Sequence, residues 1–230
     1  MNTQLTELAF ILDRSGSMAS VRIETIAGFN RFLEEQLALP GEARLTLVLF
    51  DTEIQTPVVS TPVASVTPLT TETYTLGGST ALLDAIGVTI DTLGARLAAM
   101  PEPERPGKVI VAILTDGEEN ASRVFNIHKI NEMISHQRDV YGWEFLFLGA
   151  NQDAIATAGR MGIAANNAAT FACNEDSVLA SHALLARKSR AMRMDSMKLA
   201  SPEELADLHA SAKEILIEET AKVKRDKKAK

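Results

Sequence analysis

Leu5-Thr-Glu-Leu-Ala-Phe-Ile-Leu-Asp13-Arg-Ser-Gly-Ser17 is the stretch whose reading decides the fold. Residues 5–12 end in an unbroken apolar run. Successive side chains of a strand point to opposite faces, so a run without alternation needs apolar cover on both sides. That is the signature of a central strand in a parallel sheet flanked by helices. The run stops at Asp13 and passes into a polar loop containing Gly16, which suits a tight turn.

Beyond this loop the same scheme repeats. Ile26, Phe29, Leu33 and Leu37 are spaced three, four and four apart, which predicts a helix with those four side chains inward, ended by Pro40-Gly41. Residues 44–50 read as a second strand and 54–59 as a third. The Asp51-Thr52-Glu53 break is too short for a parallel return, so these two pair as an antiparallel hairpin. Pro57 has no N–H to give a neighbour, which puts the third strand at a sheet edge. Residues 60–76 read as an irregular connection. A second helix opens at Gly77-Gly78-Ser79-Thr80 and carries Leu82, Ile86, Ile90, Leu93 and Leu97 on one face.

After a Pro-rich loop at 101–107, residues 108–114 form a fourth strand ending at Thr115-Asp116-Gly117. A helix over 123–138 is expected to turn Val124, Ile127, Ile130 and Ile134 inward. Trp143 to Leu148 is a fifth strand, Asp153 to Met161 a short helix, 169–173 a sixth strand, and Asp176 to Arg190 a helix. Met192, Met194 and Met197 then fall in a polar connection. Ser201, Pro202 and Glu204 give the capping-box start of one last helix, with Leu205, Leu208, Ala212, Ile215 and Leu216 inward. Alternating strands and amphipathic helices predict an α/β, doubly wound, mostly parallel six-stranded sheet with one antiparallel edge strand. The division read from the pattern is a domain at 1–190 and a C-terminal helical extension with a basic tail at 191–230.

The 230 residues carry a net charge of -7, unevenly spread. Residues 222–230 hold six basic residues and one acid; without them the body stands at -12. An acidic body disfavours non-specific nucleic-acid binding. No apolar run reaches the roughly 18–20 residues of a membrane helix, and the N-terminus lacks signal-peptide features. The single cysteine, Cys173, allows no internal disulfide and reads as a small core residue. A cytoplasmic protein is expected from these negatives.

Ligands of open α/β sheets bind outside the carboxyl ends of the strands. In this chain those ends carry Asp13, Ser15 and Ser17, then Thr80 at the start of a helix, then Asp116. All are hard oxygen donors, which favours Mg²⁺, Mn²⁺ or Ca²⁺ over softer metals. His128, His136, His182 and His209 are not spaced as zinc ligands.

Asp13-x-Ser15-x-Ser17 with distant Thr80 and Asp116 resembles the metal-ion-dependent adhesion site of von Willebrand factor type A domains. The order of elements over residues 5–190 resembles that family too, and the compact Asp-Arg-Ser-Gly-Ser-Met form is similar to its intracellular prokaryotic or phage members. The resemblance implies a Rossmann-like fold and a Mg²⁺ ion held by Ser15, Ser17 and Thr80. Asp13 and Asp116 would lie around the ion, and one open position would take an Asp or Glu carboxylate of a partner protein. It also implies binding and no catalysis. Enzymatic readings fail on their own terms. A dehalogenase-type phosphatase wants a second Asp where Ser15 stands, a dinucleotide site wants Gly-x-Gly-x-x-Gly, and no His at a strand end can serve a serine nucleophile. Two other readings are a scaffold acting through the C-terminal helix, with metal only stabilising the fold, and, less favoured, a metal-dependent phosphoesterase. Glu118-Glu119 reads as a solvated pair starting a helix, Asp84 as an exposed helix residue or a support of the site, and the basic tail as a solvated helix end.

Overall fold

β1 (Asn2–Asp13) runs through the middle of the sheet, and residues 5–13 of its twelve are buried. The computed structural model describes residues 1–150 and 153–228. Among them, β2 (Glu42–Phe50), β3 (Ile54–Pro62), β4 (Pro106–Thr115), β5 (Glu144–Ala150) and β6 (Ala168–Phe171) complete one sheet in the order β3-β2-β1-β4-β5-β6. Every neighbouring pair is parallel except β2 and β3, so the antiparallel strand with Pro57 is an edge, as the sequence predicts. The helices are α1 (Arg22–Leu37), α2 (Leu82–Ala99), α3 (Ile127–Tyr141), α4 (Ala154–Arg160), α5 (Glu175–Ser196), α6 (Pro202–His209) and α7 (Ala212–Lys228).

The period of two in β1 sorts its side chains between two cores. Leu8, Phe10 and Leu12 pack with Phe29 and Phe32 of α1, Leu184 of α5 and Ile215 of α7. Ala9 and Ile11 pack with Ile86 and Ile90 of α2 and Ile130 and Ile134 of α3. Phe10 meets Phe29 and Phe32 edge-on at centroid distances of 5.3 and 5.0 Å, contacts worth about 0.5–1.5 kcal/mol each beyond their buried area. No helix among the described residues is long and apolar enough to cross a membrane.

Several local expectations give way to tertiary contacts. Leu37 is 56% exposed; the inward position beside it is Gln36, whose amide donates to Ala186 O. Val124 and Ile127 are exposed because α3 starts only at Ile127, behind the Asn126 cap. The backbone N–H groups of 123–125 donate to the Asp84 carboxylate, and the helix starts only after the Asn126 cap that follows them. β3 runs on to Pro62, inside the stretch read as irregular. α5 continues past Arg190 to Ser196, so Met192 and Met194 are helical and Met192 and Met197 are buried. Cys173 lies just beyond β6 and is half-buried, not a core residue of the strand.

The last helix is two. The capping box at Ser201 and Glu204 forms as expected. α6 then stops at His209, and a second box, Ser211 with Glu214, starts α7. The buried Lys188 ammonium donates to Leu208 O and Ala210 O at 3.1 and 2.6 Å, holding the break open. Leu205, placed inward by the one-helix reading, is 40% exposed on the short α6. Arg187 bonds Asp207, Glu218 and Glu219, so α5 grips both halves of the extension. Lys230, the last cation of the basic run, lies outside the described residues.

His182 of α5 is fully enclosed, stacked on Phe10 at 5.9 Å, with Nδ1 against Val178 O at 2.9 Å and, among the described residues, no hydrogen-bond partner for Nε2. Burial pushes its pKa down from 6.5 to about 4. The unfolded chain takes up a proton below about pH 6.5 while the folded one resists until about 4. Stability therefore falls as pH drops through that window, by about 3 kcal/mol for a shift of this size. Urea denaturation of the parent and of His182→Phe should show that difference opening between pH 6.5 and 4; parallel profiles would refute it.

Candidate metal centre

Asp13 and Asp116 stand at the carboxyl ends of β1 and β4, where the chain switches from winding toward β2 to winding toward β5. Parallel pairing sets Leu12 beside Leu114, so Asp13 and Thr115 are neighbours. Thr115 Oγ1 donates to Asp13 Oδ2 at 2.5 Å, and the amide of Ser15 donates to Asp13 Oδ1 at 2.7 Å. Ser15 Oγ and Ser17 Oγ are 3.0 Å apart, and Ser17 Oγ donates to Asp116 Oδ1 at 2.6 Å. Thr80 comes in from the other side. A first side-chain carbon on Gly117 would lie 2.8 Å from Thr80 Oγ1 and 3.8 Å from Ser17 Oγ, so the two hydroxyls flank one point that only glycine leaves open. The five predicted residues thus meet at one edge of the sheet. Asp13, Ser15, Thr80 and Asp116 are buried, and Ser17 is exposed.

Burial pushes the Asp13 carboxyl up to about 6, against the hydrogen bonds from Thr115 and Ser15 and with some help from the charge of Asp116. Burial raises Asp116 too, while its bonds from Ser17 and Cys173 act the other way. Among the described residues neither carboxylate is paired with a basic side chain. Arg14, the nearest in sequence, turns away to Asp51 at 3.0 Å and to Thr75 O at 3.3 Å. Two buried carboxylates and three hydroxyls with no protein cation form an oxygen-donor set that a hard divalent ion fits. Among the described residues no group of three or more His, Cys, Asp or Glu is placed to hold a metal ion, so a metal here would rest on two carboxylates and three hydroxyls.

The scaffold behind the five residues was not evident from sequence. Tyr74, fully buried, donates its hydroxyl to Asp13 O at 2.5 Å. Asp51, just past the end of β2, accepts from Gly78 N and Glu53 N as well as from Arg14, tying the loop before Thr80 to β1. A side chain on Gly77 would collide with Asp51 Oδ2, so that loop admits only glycine there.

The loop after Asp116 and the start of α2 cap one another. Asn120 Oδ1 accepts from Thr80 N, Glu119 accepts from Leu83 N, and Ser122 Oγ accepts from Asp84 N, while Asp84 accepts from 123–125. Glu119, read from sequence as solvated, and Asp84, read as either exposed or a support of the site, are this lock. The only signal was their type, since carboxylates favour helix N-termini. Cys173 Sγ lies 3.7 Å from Asp116 Oδ2, and burial together with that charge raises its pKa.

No family model matches the sequence, and a comparison with curated proteins finds no match. Solved structures do resemble it. Proximal thread matrix protein 1 from the mussel byssus superposes with a TM-score of 0.54 at 16% identity, over 81% of this chain and 46% of that one. The form of that protein with a zinc-occupied MIDAS motif gives 0.57 at 16%, over 81% and 48%. The ArnB paralog VWA2 from Sulfolobus acidocaldarius gives 0.52 at 15%, over 82% and 45%. The chain therefore spans less than half the length of these solved chains. At these identities the likeness speaks for the architecture. The six-stranded, mostly parallel sheet with one antiparallel edge, flanked by helices, is the Rossmann-like fold of von Willebrand factor type A domains.

Proposed function

We propose that this chain is a metal-dependent protein-binding module. Ser15, Ser17 and Thr80 hold a divalent ion, Mg²⁺ before Mn²⁺ or Ca²⁺, with Asp13 and Asp116 beside it, and an acidic side chain of a partner protein completes the site. The observation that carries this is the pair of buried carboxylates, bridged to two serine residues and left without a protein cation. When bound, the ion supplies a Lewis-acidic position that neutral hydroxyl ligands leave able to attract an outside carboxylate. The protein's own part is preorganisation. Asp13 fixes the Ser15 amide, Thr115 fixes Asp13, and the interlock of Asn120 with Thr80 holds the two halves in register. The zinc-occupied MIDAS motif of the mussel protein supports a divalent site on this fold.

The same proposal takes residues 1–190 as the binding unit and 191–230, the end of α5 with α6 and α7, as an extension whose last two helices brace α5. A chain with one free cysteine suits a reducing compartment such as the cytoplasm. Pull-downs from native lysate in Mg²⁺ and in EDTA test the reading. Partners retained only with Mg²⁺, and lost with Asp116→Ala, are expected; retention unchanged by EDTA would overturn it.

A further inference from the structure

The basic tail is not a free helix end. Lys227 Nζ pairs with Glu175 Oε2 at 2.9 Å and with Asp176 Oδ1 at 2.7 Å. Those two acids begin α5, directly after Asn174 and Cys173, and the Cys173 thiol touches Asp116. α7 therefore brings Lys227 to the same sheet edge as the candidate metal centre.

Between β6, the far edge strand, and α7 runs a groove of about 400 Å³. Phe171 and Ala172 line one side of it; Ile217, Ala221 and Lys224 line the other. Ala172 adjoins Cys173, so the groove starts beside Asp116. Ile217, Ala221 and Lys224 are four and three apart, one stripe of a helix. Ile217 is 61% exposed. Among the described residues Lys224 pairs with no carboxylate, unlike Lys227. An apolar wall and an unpaired cation thus sit next to the metal edge of a body that is otherwise strongly acidic. Such a body repels acidic proteins in general, and Lys224 gives this groove a cation that an acidic segment can pair with.

We infer that the β6–α7 groove is a second contact for the partner, fitting an acidic peptide segment that lays one apolar side chain on Ile217 and Ala172 and a second carboxylate on Lys224 while its first carboxylate reaches the metal centre. This rests on the metal-dependent reading above. Two linked contacts bind together far more tightly than either alone, and the second selects among the many acidic segments that could reach an ion.

The test is a random linear peptide library displayed on phage, selected on the full chain in Mg²⁺ and eluted with EDTA. The eluted pool should carry paired carboxylates separated by an apolar residue. Its peptides should bind Ile217→Ser/Lys224→Glu about tenfold more weakly. Lys224→Gln should lose only the acidic preference. Both substituted side chains are exposed, and melting curves check that the fold is kept. An EDTA-eluted pool that binds the double variant equally well overturns the groove and leaves the metal reading standing. A bound pool that EDTA does not release overturns the metal reading. Single-stranded DNA weakened as much as the peptides by the double variant overturns the peptide in favour of a generic polyanion surface.

Discussion

Asp13→Asn is expected to melt at a higher temperature than the parent in EDTA and to gain nothing from Mg²⁺. The carboxyl of Asp13 is fully buried and held up to about 6. Keeping it ionised at neutral pH costs the metal-free fold about 3 kcal/mol relative to an ordinary Asp. The sign follows from the raised value: the penalty is present above about pH 6 and fades as pH falls through it. Asparagine avoids the charge and keeps the geometry. Its oxygen can accept from the Ser15 amide, and its NH₂ can donate to Thr115 Oγ1, whose hydroxyl already has Gly117 O within 3.1 Å. In the parent, Mg²⁺ at a hundred times its Kd adds about 2.7 kcal/mol. For a chain of this length that is a rise of roughly 5–10 °C. Calorimetric melting of both proteins with and without Mg²⁺ measures the crossing, and equal Mg²⁺ shifts in the two would sink the assignment of Asp13.

Asp84→Ala is expected to lose roughly 3 kcal/mol of stability and to weaken Mg²⁺ binding without touching the site. The Asp84 carboxylate accepts from Arg123 N at 2.8 Å, Val124 N at 3.0 Å and Phe125 N at 2.8 Å. Hydrogen bonds to a charged group contribute about 1.5–3 kcal/mol each, and water can replace part of this for the exposed Arg123 and Val124. The released segment is the one that carries Asn120 against Thr80, so the Thr80 hydroxyl loses its fixed position. Asp84→Asn keeps one acceptor oxygen and should lose about half as much. Urea titrations give the stability and Mg²⁺ titration gives the affinity. A loss below about 1 kcal/mol would show that the loop holds its shape through other contacts.

Asp13 and Asp84 differ in how far their sequence surroundings reveal them. Asp13 was legible because its signal is local: a buried apolar run must end somewhere, and its end in an α/β sheet is where ligands sit. Ser15 and Ser17 follow it within one loop, and Thr80 and Asp116 stand at the starts and ends of elements whose periodicity is clear. Glu119 was not legible, and Asp84 only as one of two open readings. An acid in the first turn of a helix has the same local appearance whether it faces water or a loop some forty residues away. The same holds for Tyr74, Arg14 and Asp51, whose partners are brought to them only by the winding of the chain.

The helix ends show the limit from another side. Periodicity placed α2 correctly because its apolar face meets the sheet along its length. α3 begins later than its pattern suggests: residues 123–125 are tied to Asp84 of α2, and Asn126 caps the helix after them. The break between α6 and α7 is set partly by Ser211 and Glu214, a local signal, and partly by the Lys188 ammonium reaching over from α5.

The order of the strands, the edge position of β3 and the residue types that gather at the candidate centre were legible in the sequence, through short-range patterns of hydrophobic spacing and residue type, whereas the one-helix pattern after Ser201 hid the break between α6 and α7. The tertiary structure alone decided which carboxylates hold loops and which meet at the sheet edge with no basic side chain among the described residues paired to them. It also brought the basic tail to the acidic edge. The reason is physical: backbone preference and burial period act over a few residues, whereas charge and hydrogen-bond satisfaction depend on partners that folding brings from anywhere in the chain.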